Sequence, residues 1–170
     1  AGPTVTESTP AFGEPIFVGD DINGDGVISD GEKLIRLGTS KVKAIYDGTT
    51  LYKRGENLSR YPRDYIQENV DWNFMSHGTG AAGIAVAGWP GLRRHTGIAP
   101  AAELILVGDE DKVGAIAMTQ ELGADVVFHE WNDWQNFQDG STNIEKAVSE
   151  STTNNQVQVA PAGNLANAAH

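Results

Sequence analysis

A length of 170 residues suits one domain, and an apolar share of 39% is enough for a real core, which excludes a disordered chain. Twelve basic against twenty-three acidic residues leave a net charge of −11, which repels phosphate backbones and anionic lipid and attracts cations, so nucleic acid is not an expected partner. No apolar run approaches the roughly 20 residues of a membrane span, and Ala1 opens no charged-then-apolar leader, so the chain reads as soluble and processed; the absence of cysteine excludes disulfides and thiol chemistry.

Residues 1–14 mix Pro, Gly, Ser and Thr without periodicity and read as a loose arm ahead of a folded body over 15–170. The short apolar run Pro15 to Val18 predicts a strand that leads into Asp21-Ile22-Asn23-Gly24-Asp25-Gly26-Val27-Ile28-Ser29-Asp30-Gly31-Glu32. That stretch fits the calcium-loop pattern D-x-[DN]-x-[DN]-G-x5-E at every specified position. A calcium ion takes six to eight hard oxygens. Asp21, Asn23 and Asp25 would supply alternate side chains, Val27 its carbonyl, Ser29 its hydroxyl or a bound water, and Glu32 two oxygens, with Gly26 at the sharp turn. The competing reading is an ion-free turn, since Asn-Gly and Asp-Gly favour turns unaided. No amphipathic helix follows. Lys33 to Leu37 and Val42 to Tyr46 alternate like strands around a turn at Gly38-Thr39-Ser40, and Asp47-Gly48 turns the chain into Thr50-Leu51-Tyr52, so the loop is expected to join strands and bind its ion structurally. An acidic, cysteine-free chain with a calcium-type motif points toward export.

Residues 54 to 73 read as a polar surface excursion. A helix is expected from His77 to Gly88, with the imidazole at its start and Ala81, Ala82, Gly83, Ala85 and Ala87 allowing close packing on a sheet. The apolar strand Leu104 to Val107 follows, then a helix over Val113 to Leu122 stopped by Gly123 and a strand at Asp125 to Phe128. Ser141, Thr142 and Glu145 open another helix, and Val157 to Ala160 is a strand running into Pro161-Ala162-Gly163-Asn164. Strands alternating with helices predict an α/β fold built on a mostly parallel sheet with helices on both faces, without internal repeats.

Five blocks in order, His77-Gly78-Thr79, Ala82-Gly83-Ile84, Gly97-Ile98-Ala99-Pro100, Gly123-Ala124-Asp125-Val126-Val127 and Ala162-Gly163-Asn164, make residues 76–170 resemble the middle of a subtilisin-like serine protease domain. The resemblance implies a peptide or protein substrate, His77 as the general base and Asn164 as the amide donor of the oxyanion hole, a role for which this family is the standard example. It also implies what is missing. The family's nucleophile sits in a Gly-Thr-Ser-Met-type segment well beyond the Ala-Gly-Asn block, and residues 165–170 do not contain it; Ser40 follows Gly38-Thr39 but precedes the histidine and is rejected. The triad aspartate would precede Ala1, with the calcium hairpin in 15–75 as an insertion between aspartate and histidine; Asp47 and Asp20 are the alternatives within the chain.

Two further departures are Gly80-Ala81, where the family usually has His-Val, and Phe128 to Trp134, where it usually has an Asn-x-Ser-x-Gly strand end. Trp131 and Trp134 with Glu130 and Asp133 would reshape a substrate cleft or cover a sheet edge. His95 and His129 lack metal-like partners at useful spacing, so zinc is not expected. The expected function is a serine endopeptidase domain fragment, inactive as 170 residues; the alternative is a pseudo-protease or calcium- or peptide-binding module on the same scaffold. No glycine-rich phosphate loop follows the first strand, which argues against a nucleotide domain, and a sheet lacking outer members would expose an edge for self-association.

Overall fold

A computed structural model describes residues 11–58, 72–108, 111–131 and 139–161, with the backbone alone at 72–76. The chain divides into two compact units, one of residues up to 45 with 51–106, the other of 46–50 with the residues from 107 onward. The class is mixed α/β, with small sheets and helices.

In the first unit β1 (Pro15–Gly19) and β2 (Leu34–Thr39) pair antiparallel, Pro15 opposite Thr39 and Gly19 opposite Leu34, with a register irregularity between Ile16 and Phe17. Residues 20–33 join them. The turn expected at Gly38-Thr39-Ser40 is therefore not a hairpin turn: Gly38 and Thr39 end β2 opposite Ile16 and Pro15. Alternation identifies a strand without naming its partner, and the folded loop supplies β1 as the partner instead.

β3 (Val42–Tyr46) is the middle strand of a three-stranded sheet in the order β4-β3-β5. β4 (Leu51–Lys53) returns antiparallel, since Asp47 N–H bonds Thr50 O at 3.3 Å and Arg54 N–H bonds Lys43 O at 2.9 Å. β5 (Leu104–Val107) runs with β3, its flanking amides at Leu104 and Gly108 reaching Lys41 O and Tyr46 O. Ala44, only 2% exposed, marks the centre of this sheet. Arg54 ties the sheet's end together through Glu103 and the carbonyls of Ser40 and Val42. Lys41 hydrogen-bonds Pro100 O and lies over the Trp89 ring at 5.3 Å; burial lowers its pKa from the usual lysine value.

Helix α1 (Trp72–Val86) carries His77. In the second unit α2 (Lys112–Glu121) starts at the Asp111 cap, whose side chain accepts from Val113 N–H, and ends before Gly123, which takes φ 70°. α3 (Asn143–Thr153) opens with a capping box, Thr142 and Glu145 each accepting the other's backbone N–H. β6 (Val126–Phe128) and β7 (Val157–Val159) pair in parallel, Val126 beside Val157 and Phe128 beside Val159. The small core of this unit holds Ile116, Thr119, Ser151 and Gln156, while Val126, Phe128, Val157 and Val159 are exposed.

Candidate functional site

His77 does not begin its helix. Trp72 to Ser76 are already helical, so the imidazole stands in the second turn of α1; no breaker separates those residues from His77. The side chain is exposed, and no group among the described residues hydrogen-bonds it. Close packing was expected from the small residues of the helix, yet a Cβ built at Gly80 or Gly83 meets nothing within 4 Å.

The close approach falls at the helix's carboxyl end instead. Gly97, Ile98 and Ala99 donate their N–H groups to the carbonyls of Ala87, Ile84 and Ala85 at 2.7, 3.0 and 2.8 Å, satisfying carbonyls that a helix end leaves without partners. A Cβ on Gly97 would lie 2.6–2.7 Å from backbone atoms of Ala85, Val86 and Ala87, so glycine alone fits. The Gly-Ile-Ala block thus fixes the helix that presents His77.

The partners of that histidine are less complete. Asn164 lies outside the described residues. Oδ1 of Asp47 accepts from Thr49 and Thr50 N–H at 3.0 and 2.8 Å, which makes this carboxylate the clasp of the β3–β4 turn. Asp20 is exposed and contributes its backbone N–H to Lys33 O. Ser40 is half-buried between β2 and β3, its carbonyl facing Arg54.

In the loop 20–33 the expected calcium ligands fold onto the loop's own amides. Asp21 accepts from Gly24 and Asp25 N–H through Oδ1 (2.7 and 3.1 Å) and from Gly26 N–H through Oδ2 (2.8 Å). Oδ1 of Asn23 accepts from Asp25 N–H, and Oδ1 of Asp25 from Val27 N–H. Glu32 closes the loop, Oε1 accepting from Ile22 and Asn23 N–H and Oε2 from Ser29 N–H. Gly24 and Gly26 take φ of 74° and 77°, and a Cβ on Gly19 would displace the end of the Ile28 side chain. The donor set is of the hard-oxygen type that suits calcium, and Asp21 Oδ2, Asp25 Oδ1 and Glu32 Oε2, each accepting one of these bonds, keep a second lone pair. Among the described residues, however, no three acidic or histidine side chains converge as a metal cluster.

The region read as cleft-lining holds an arrangement that sequence reasoning missed. His129, directly after β6, is only 6% exposed, and its Nε2 lies 2.6 Å from Gln158 Oε1. Gln158 Nε2 donates to Gln156 Oε1 at 2.8 Å, and Gln156 Nε2 donates to the Ala124 carbonyl at 2.8 Å. Trp131 meets the imidazole edge to face at 5.2 Å, with the Lys112 ammonium 5.7 Å from the indole. The spacing of Gln156, just before β7, and Gln158 within it was the available signal: two amides on one side of an extended segment. Glu130 is exposed, and Asp133 and Trp134 lie outside the described residues.

No curated protein and no solved structure matches the chain. The family model of the subtilases matches residues 45–170, from the last residues of β3 through α1, β5, α2, β6, α3 and β7, and the chain belongs to the subtilase family.

Proposed function

We propose that this chain contributes the base-bearing part of a serine endopeptidase domain, with His77 taking the proton of a serine hydroxyl as that oxygen attacks a peptide carbonyl and returning it to the departing amine. The family match over 45–170 carries the reading. It is supported by the exposed imidazole on a helix whose far end is clamped by Gly97 to Ala99. Asn164 would donate to the oxyanion from beyond β7. A mostly parallel sheet covered by helices is part of the proposal, and the parallel pairs β3–β5 and β6–β7, in separate sheets, support it.

The aspartate orienting the imidazole is proposed to lie in a segment preceding Ala1, with Asp47, whose Oδ1 holds its own turn, and Asp20 as the alternatives. Residues 1–170 hold no Gly-Thr-Ser-Met segment, so these residues alone are expected to neither hydrolyse peptides nor react with a fluorophosphonate. Clear labelling of any serine among them would overturn this assignment.

Asp21, Asn23, Asp25, Val27, Ser29 and Glu32 are proposed to hold a structural calcium ion, which would draw the carboxylates together and lock the β1–β2 connection. The loop precedes the matched residues 45–170, and its place as an insertion is part of the proposal. Secretion is proposed on the family and the calcium-type loop. The exposed Val126, Phe128, Val157 and Val159 support self-association of the β6–β7 pair.

A further inference from the structure

The amide chain behind His129 has only one consistent direction. A backbone carbonyl cannot donate, so Ala124 O forces the Gln156 amide to place Nε2 toward it and Oε1 toward Gln158. Gln156 Oε1 must then receive a proton, which sets Gln158 Nε2 against it and turns Gln158 Oε1 toward the imidazole. An oxygen acceptor 2.6 Å from Nε2 requires the proton on Nε2. Neutral His129 is thereby held as one tautomer, with Nδ1 carrying a lone pair. No described group hydrogen-bonds Nδ1.

The ring is held in place as well. The His129 N–H bonds Val159 O at 2.9 Å, and Trp131 packs against the imidazole. The residue stands at the carboxyl ends of two parallel strands, the end at which open α/β sheets bind their ligands. Nothing in core packing requires a tautomer to be fixed through three consecutive amides.

We propose that His129 is a specificity-determining residue whose Nδ1 accepts a hydrogen bond from a donor-bearing side chain of the substrate peptide, with Gln156 and Gln158 as the positioning residues that fix its tautomer. The inference rests on the peptidase reading above. A lone pair presented this way accepts from an amide and opposes a carboxylate, so the near-isosteric pair Gln and Glu is the discriminating probe.

The test uses the 170-residue chain with ¹⁵N-labelled histidine, His129→Leu identifying the His129 signals. Nε2 is expected to carry the proton and Nδ1 to be bare. Gln158→Leu should let the tautomers mix, because Nε2 then has no acceptor. A bare Nε2 in the wild type, or an unchanged tautomer in Gln158→Leu, would overturn the positioning role.

Titration with Ala-Ala-Pro-Gln amide and Ala-Ala-Pro-Glu amide then reads the contact. The Nδ1 signal should move with the Gln peptide, and the Gln over Glu preference should fall roughly fivefold, the worth of one neutral hydrogen bond, in His129→Leu. Backbone amide shifts with an unmoved Nδ1 would overturn the contact alone. No amide shift with either peptide would also overturn this contact, while the peptidase reading is decided separately by hydrolysis with the protein that carries the Gly-Thr-Ser-Met-type segment.

Discussion

The loop 20–33 and the relay from Ala124 to His129 are both made of polar side chains bonded to amides, but they stand in opposite surroundings. Asp21, Asn23, Asp25 and Glu32 bond their own backbone on an exposed loop, whereas Gln156 and His129 are 4% and 6% exposed. A hydrogen bond exchanged with water contributes little, and one missing from a buried group costs the whole desolvation of that group. The loop's bonds therefore contribute little to stability, and those of the relay contribute more.

The largest expected effect tests rigidity at the helix that carries His77. Gly97→Ala should destabilise by about 3 kcal/mol or more in urea unfolding, because the added methyl meets backbone of Ala85 to Ala87 that cannot rotate away. Gln156→Leu comes next: it strips Ala124 O and Gln158 Nε2 of partners and should cost about 1–3 kcal/mol. Asn23→Ala in calcium-free buffer should shift stability by no more than about 0.5 kcal/mol, since its bonds lie in water. A cost for Asn23→Ala equal to that of Gln156→Leu would break the contrast. Calorimetric titration sharpens it from the other side, because Glu32→Gln should lose most of the heat of calcium binding, and equal heats would favour an ion-free turn.

Smaller still is the cap of α3. Hydrogen bonds from the Thr142 side chain, then from the Thr142 backbone, hold the Glu145 carboxylate below its usual pKa. A depressed acid stabilises the fold above its unfolded pKa, and that contribution is lost as pH falls through the lower folded value. Thr142→Ala should cost about 1 kcal/mol at neutral pH, and the difference between variant and wild type should shrink under acid. A constant difference down to the lowest pH would contradict the assignment.

Much of this organisation was legible because it is local. Thr142 and Glu145, Gly123 after α2, the bounds of β3 and β5, and the Asx-rich loop follow from residues within a few positions of each other. What was not legible depends on distant partners. β2 pairs with β1 across a long loop, and the close contact expected of Gly83 and its small neighbours is made by Gly97, eleven residues beyond the helix. His129 reads as an unpaired histidine until β7 places Gln158 beside it. The start of α1 was missed for a different reason: apolar and small residues mark the buried stretch of a helix and say nothing about turns that precede it.

The central claim is that His77 serves as the base of a subtilase serine peptidase. The direct measurement is peptide hydrolysis by the protein carrying both this chain and a Gly-Thr-Ser-Met-type segment after it, wild type against His77→Ala. The rate should fall by about 10²- to 10⁴-fold or more in the variant with the fold retained. A folded His77→Ala protein that hydrolyses peptides at the wild-type rate would contradict it.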